Sequence, residues 1–217
     1  MLFFQVLPFL VLVNGLVTRQ KPNSLLDQIQ QVCPGSSTCA GAVAPDECRT
    51  ATQSAPFFAT ALNGTTPGVQ AAIFSLVCFE TLDLDFRTNH FPGRPGQGTS
   101  SMMMFDFVLE YARTFPELGP QIDALVGSGV TTDQQKNDIR ALVLDDKYNF
   151  GSAPWFLKNK CDASVSTALA SGTDAAYAAY ITQCVGTTLT DDRIAYWTRA
   201  KAAFGPFGLA TCSSNVS

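Results

Sequence analysis

The sequence predicts a mainly α domain of α+β type, in which helices carry the core and a small β-hairpin interrupts them. Three observations predict it. Between Val69 and Phe79 only Gln70 and Ser75 are polar, so this helical segment is apolar on nearly every side. Hydroxyl or acidic residues placed to cap helices recur ahead of further segments, at Thr132, Asp162, Thr173 and Thr190. Leu82-Asp83-Leu84-Asp85-Phe86-Arg87 alternates apolar and polar residues and runs into a Gly- and Pro-rich turn, which is the pattern of a short strand in a hairpin.

Taken in order, residues 1–17 form an apolar run broken by Pro8 and followed by Arg19 and Lys21. The run is short for a membrane span and reads as a signal peptide over residues 1–18, cut after Gly15 or nearer Thr18. An uncleaved anchor is the alternative. Residues 19–45 form an N-terminal extension tied down by disulfides, and residues 46–217 form one folded domain. Its first helix runs from Asp46 to Leu62 with a bend near Pro56. Thr66-Pro67 starts the buried helix, with a hydroxyl cap and a proline whose missing N–H costs nothing in the first turn. After the hairpin, Ser100 or Ser101 caps a segment reaching Phe115, and the Met102–Met104 run fills core. Thr132 opens a helix to Leu144, and a short one covers Ala153 to Lys160. Asp162, Thr173 and Thr190 open helices ending near Gly172, Cys184 and Gly205.

The cysteines point to export. Of the seven, Cys78 sits inside the apolar helix and reads as a free core thiol. Cys33, Cys39, Cys48, Cys161, Cys184 and Cys212 then form three disulfides among fifteen possible connectivities. Cys161 with Cys184 is the preferred pair, since both lie near helix boundaries, and the other four tie the termini to the body. Asn63-Gly64-Thr65 and Asn215-Val216-Ser217 are N-glycosylation sequons. A single histidine, His90, and no Cys-x-x-Cys pair argue against a zinc site, and no cofactor is expected. The net charge of −4 and the lack of a basic cluster argue against nucleic acid. The expected protein is a secreted, extracellular monomer with no membrane contact once the signal is removed.

Glu80 ends the apolar helix, in register with Ile73, Leu76 and Val77. Burial and the negative end of the helix dipole both disfavour its charge and predict a raised pKa. Such a carboxyl suits a glycosidase that must protonate a departing sugar oxygen. Alternatively the side chain is structural and paired with an arginine such as Arg87, Arg94, Arg140 or Arg193.

A core helix ending in Glu, a hairpin and a glycine-rich turn resemble the lysozyme-like superfamily, and in particular its plant-type chitinases and related endolysins. Ala71–Thr81 resembles the chitinase segment in which Glu-Thr ends the core helix. Gly93–Thr99 resembles their Gly-Arg turn, with Gln97 one position early. Phe150–Phe156 resembles their Ala-x-Trp-Phe helix, and Cys184–Gly205, more weakly, their last helix. The resemblance covers residues 46–205 and implies a lysozyme-like catalytic domain. It makes Glu80 the general acid and places Gln97, Thr99, Tyr148, Asn149 and Trp155 near the substrate, with core packing the alternative for Trp155. His90, in the turn beside Asn89, either binds sugar or orients the acid, or is a satisfied loop histidine. A family-type second Glu is missing. Asp83 and Asp85 are the candidates for a base, with Asp85 preferred, unless one Glu suffices.

The resemblance therefore implies a secreted, cell-wall-active glycoside hydrolase cleaving β-1,4-linked N-acetylglucosamine-type polysaccharide such as chitin, chitosan or peptidoglycan. A non-catalytic glycan-binding protein or effector on the same fold is the alternative.

Overall fold

Helix α3, Pro67–Glu80, is the axis of the molecule: every residue from Ala71 to Cys78 is buried. In the computed structural model residues 24–127, 129, 130 and 132–207 are described. The expected signal peptide, Cys212 and Asn215 lie outside them. Ahead of α3 come α1, Leu25–Val32, and α2, Ala51–Ala61. After it come α4 (Phe105–Ala112), α5 (Gly119–Val126), α6 (Asp133–Ala141), α7 (Asp146–Asn149), α8 (Ser152–Lys160), α9 (Ala163–Ala168), α10 (Asp174–Ala179) and α11 (Asp191–Phe204). Single 3₁₀ turns punctuate the chain, and α10 passes into a π-helical stretch, Tyr180–Val185.

The helix starts follow from their caps. Thr66, Thr132, Asp162, Thr173 and Thr190 each accept a backbone N–H from the first turn of the helix they precede. Ser24 and Asp27 form a reciprocal capping box on α1, and Thr50 and Gln53 form one on α2. Pro56 is accommodated inside α2.

Helix α11 packs along α3, and α1 packs against α11 and α2. Phe58 lies 4.6 Å from Phe74 and 4.7 Å from Phe150, ring centre to ring centre, while Phe74 stacks on Phe204 at 5.2 Å. These rings join α2, α3, α11 and the C-terminal end of α7 through one apolar cluster. A second cluster around Val108, Tyr111, Ile122, Val143 and Tyr148 holds α4 and α5 together. The one hydroxyl in the middle of α3, Ser75, is buried but donates to Tyr177 Oη at 2.8 Å. Burial pushes the Tyr177 phenol up to about 12, which keeps it neutral at physiological pH.

The expected hairpin is not formed. Among the described residues there is no sheet, only isolated bridges pairing Thr88 with Gly98 and Gly98 with Met103. Leu82 to Asp85 form a turn, with Leu82, Asp83 and Leu84 all left-handed at φ of 50°, 58° and 74°. The alternation that suggested a strand has another cause. Leu84 is 2% exposed and Leu82 is 53% exposed, so the apolar residues share no face. The two aspartates anchor backbone instead: Asp83 Oδ2 accepts the Gly35 N–H and Asp85 Oδ2 the Val43 N–H, each at 2.9 Å.

The cysteine expectation also needs correction. Cys78 is not a free thiol but is bonded to Cys33, which locks the end of α1 to α3. Cys39 is bonded to Cys48, and Cys161 to Cys184. The stretch read as an extension thus contributes Ile29, Val32 and Cys33 to the core. No helix among the described residues is long and apolar enough to cross a membrane.

The tightest helix contact is at Gly68, where a Cβ would stand 2.1 Å from the Leu169 carbonyl oxygen. Gly68→Ala is predicted to destabilise the fold by about 1–3 kcal/mol, because overpacking outweighs the gain in helix propensity. A urea midpoint that rises instead of falling would contradict this packing.

Candidate functional site

The C-terminal end of α3 opens onto a groove of ≈ 510 Å³, within the usual range for small-molecule sites. Its apolar wall includes Phe79, Phe86 and Met102, and its polar side Glu80, Thr88, Asn89 and His90. Val43, Leu82 and Phe91 form the rim and are 67%, 53% and 82% exposed. These are three of the most exposed large apolar side chains among the described residues, and they surround one opening. Such clustering marks a binding surface more than scattered exposure does. Backbone strain gathers here as well, since Leu82 and Met102 both have positive φ. Non-glycine residues in that region cost about 1–3 kcal/mol each and concentrate at functional sites.

Glu80 is held by Arg193. Its Oε1 accepts from Arg193 Nη2 at 2.6 Å, and the guanidinium lies 4.0 Å over the Phe79 ring. Arg193 is buried, while the Glu80 side chain keeps 20% of its surface exposed toward the groove. The structural ion pair weighed in the sequence is therefore the arrangement found. In place of an apolar wall, the carboxylate has a cation.

Glu47, outside the groove lining, anchors the loop that carries His90. It accepts the Arg87 N–H at 2.6 Å, the Thr88 N–H at 2.8 Å and the Thr88 hydroxyl at 2.6 Å, with His90 Nε2 at 3.0 Å. Burial pushes its carboxyl up, but the hydrogen bonds from Thr88, Arg87 and His90 outweigh burial and hold it below the usual range.

The other residues singled out in the sequence do not converge on this groove. Asp85 is engaged by the Val43 N–H. Gln97 is buried and donates to the Met102 carbonyl at 2.9 Å, and Thr99 is fully buried with φ 69°. Tyr148 donates to Glu117 Oε1 at 2.8 Å within the second apolar cluster. Asn149 is fully buried, and its carbonyl accepts from Ser100 and Ser152. Trp155 packs on Tyr111 at 5.2 Å in a different concavity. Only Glu80 and His90 meet. Sequence reasoning missed Glu47, Val43 and Phe91. The disulfide bracket Cys39–Cys48, which projects Val43, was the available signal.

The donor set is poor for a metal. Cys33, Cys78 and Asp83 bring their ligand atoms together, but both sulfurs are bonded to each other and Asp83 Oδ2 holds the Gly35 N–H. His90, the chain's single histidine, is tied to Glu47.

No family model and no solved structure matches the chain. The chain is similar to a Fusarium oxysporum (strain Fo5176) protein named bifunctional dioxygenase (DOX)-epoxy alcohol synthase (EAS). The two are 41% identical over 157 residues, which is 71% of this chain and 12% of the relative. The chain thus spans a small part of that relative's length. The similarity overturns the expected glycoside hydrolase, with its hydrolase, chitinase-like and cell-wall character, and does not favour the glycan-binding alternative. The roles of Glu80 as acid and Asp85 as base fall with it, as the Arg193 and Val43 contacts already indicate.

A carboxyl whose folded pKa is depressed adds stability above its unfolded pKa and loses it as pH falls through the folded value. Glu47→Gln is predicted to cost roughly 1–3 kcal/mol at pH 7, read from urea midpoints, with the difference shrinking below about pH 4. A difference that stays constant across that range would show that the charge of Glu47 is not what holds the loop.

Proposed function

We propose that this chain is a binding module for an oxygenated apolar molecule, working with an oxygenase of the dioxygenase–epoxy alcohol synthase kind. The observation that carries the proposal is the rim of Val43, Leu82 and Phe91 around a groove whose polar side holds Glu80 and His90. An epoxy alcohol joins a hydrocarbon skeleton to one hydroxyl and one epoxide oxygen. The skeleton suits Phe79, Phe86 and the rim. The hydroxyl suits Glu80, of which Arg193 takes only Oε1, leaving Oε2 to accept. His90 donates through Nε2 to Glu47, so the Nδ1 of its neutral ring is an acceptor and offers the hydroxyl a second partner.

The residues suit binding better than redox chemistry. Non-haem iron and iron–sulfur centres draw on several histidines, carboxylates or cysteine thiolates, and here six cysteines are oxidised in pairs and His90 is tied to Glu47. In this reading the oxygen chemistry belongs to other parts of the assembly, and this chain holds its substrate or product. The three disulfides support a location in an oxidising compartment, such as outside the cell.

Calorimetric titration of the full chain with a long-chain epoxy alcohol, and with the same skeleton lacking oxygen, tests the reading. We predict saturable binding that favours the epoxy alcohol, and a loss of roughly tenfold, about 1.4 kcal/mol, in Phe91→Ser. Absence of binding to either compound, or equal binding by Phe91→Ser, would contradict it.

A further inference from the structure

A second and wider concavity, ≈ 930 Å³, lies where the turn between α2 and α3 faces α8 and α9. Asn63, the first residue of the sequon Asn63-Gly64-Thr65, stands on its wall. We propose that Asn63 carries an N-linked glycan whose first sugars lie in this concavity against the indole of Trp155.

Three features argue for that occupant. The acceptor is presented for modification: Asn63 is exposed in a turn that Gly64 allows by its left-handed backbone, φ 77°. The concavity is amphipathic in the way a pyranose is. Trp155 is part-exposed and braced from behind by buried Tyr111, with ring centres 5.2 Å apart. Sugar C–H faces pack on such rings. Around the indole stand Thr114, Lys158 and Asn159, able to meet sugar hydroxyls. Asn159 spends its Nδ2 on the Trp155 carbonyl at 2.7 Å, which fixes its side chain with Oδ1 left to accept. Finally, three disulfides require passage through an oxidising compartment, which in eukaryotic cells is also where sequons are glycosylated.

The transfer is balanced as follows. Asn63 Nδ2 bonds to the anomeric carbon of N-acetylglucosamine, and that carbon's bond to a diphosphate oxygen breaks. The donor is a polyprenyl-diphosphate oligosaccharide, and polyprenyl diphosphate leaves with the amide proton. Because the acceptor is modified while the chain is still extended, the bond between Thr65 Oγ1 and the Leu62 carbonyl forms afterwards. The sugars then fill a surface that would otherwise expose Trp155, Val69 and Pro154.

The test uses the full chain secreted from a eukaryotic host. Mass spectrometry of the peptide containing Asn63 reads occupancy, with Thr65→Ala as the unmodified control. Nuclear Overhauser contacts between isotope-labelled sugar and the Trp155 indole read position in the wild type. Endoglycosidase cleavage of native protein reads shielding. The expected results are a modified Asn63, sugar–indole contacts, and cleavage roughly tenfold slower than in Trp155→Ala, as for a bound state about nine-tenths populated. Should Trp155→Ala not fold, Asn159→Ala, which leaves the ring in place, is the second comparison. Secreted protein unmodified at Asn63 overturns the proposal. So does a glycan with no indole contact that is cut at the same rate in wild type and variants. Epoxy alcohol binding is measured at the other groove, so either proposal can fail alone.

Discussion

The ion pair between Glu80 and Arg193 is the constraint on which the rest of the structure turns. Each partner is poorly placed on its own helix. Glu80 ends α3, where the dipole is negative, and Arg193 lies in the first turn of α11, where it is positive. Brought to 2.6 Å, the two unfavourable placements cancel. The pair thereby sets how α11 meets α3, and so aligns Phe204 with Phe74 and Tyr196 with Phe79. Because Arg193 is also stacked on Phe79, its charge is taken out of water without losing every favourable contact.

What lies beyond Glu80 follows from that fixed end. The chain leaves α3 through three left-handed residues, so it cannot continue as either helix or strand. Carboxylates take up loop amides around this turn: Asp83 and Asp85 accept the Gly35 and Val43 N–H groups of the N-terminal loops, and Glu47 accepts those of Arg87 and Thr88. The groove is therefore walled by loops held by charge on a helical scaffold locked by disulfides, a common division between rigid frame and binding surface. Exposed Phe91 and Val43 are tolerable in such loops because the loops are not needed to close the core.

Much of the helical frame was legible because capping is local. Thr66, Thr132, Asp162, Thr173 and Thr190 act within three residues of themselves, and each caps where the sequence places it. Helix α1 carries an equally local signal in the pair Ser24 and Asp27. The turn after α3 imitates a strand in sequence because periodicity reports alternation and not its cause. Asp83 and Asp85 are spaced by the loops that they anchor. Cys78 looked like core filling because nothing near it in sequence reveals that Cys33 ends the neighbouring helix. The groove was least legible of all. Glu47, Val43, Glu80 and Phe91 come from distant stretches, and a resemblance of short motifs supplied a chemistry that their geometry does not support.

A double-mutant cycle on Glu80→Gln and Arg193→Met, read by urea denaturation, tests the central claim most directly. The account predicts a coupling of roughly 1–3 kcal/mol, with the double variant more stable than the two single losses combined would allow. Single effects that add to within about 0.5 kcal/mol would show that the pair does not organise the junction of α3 and α11.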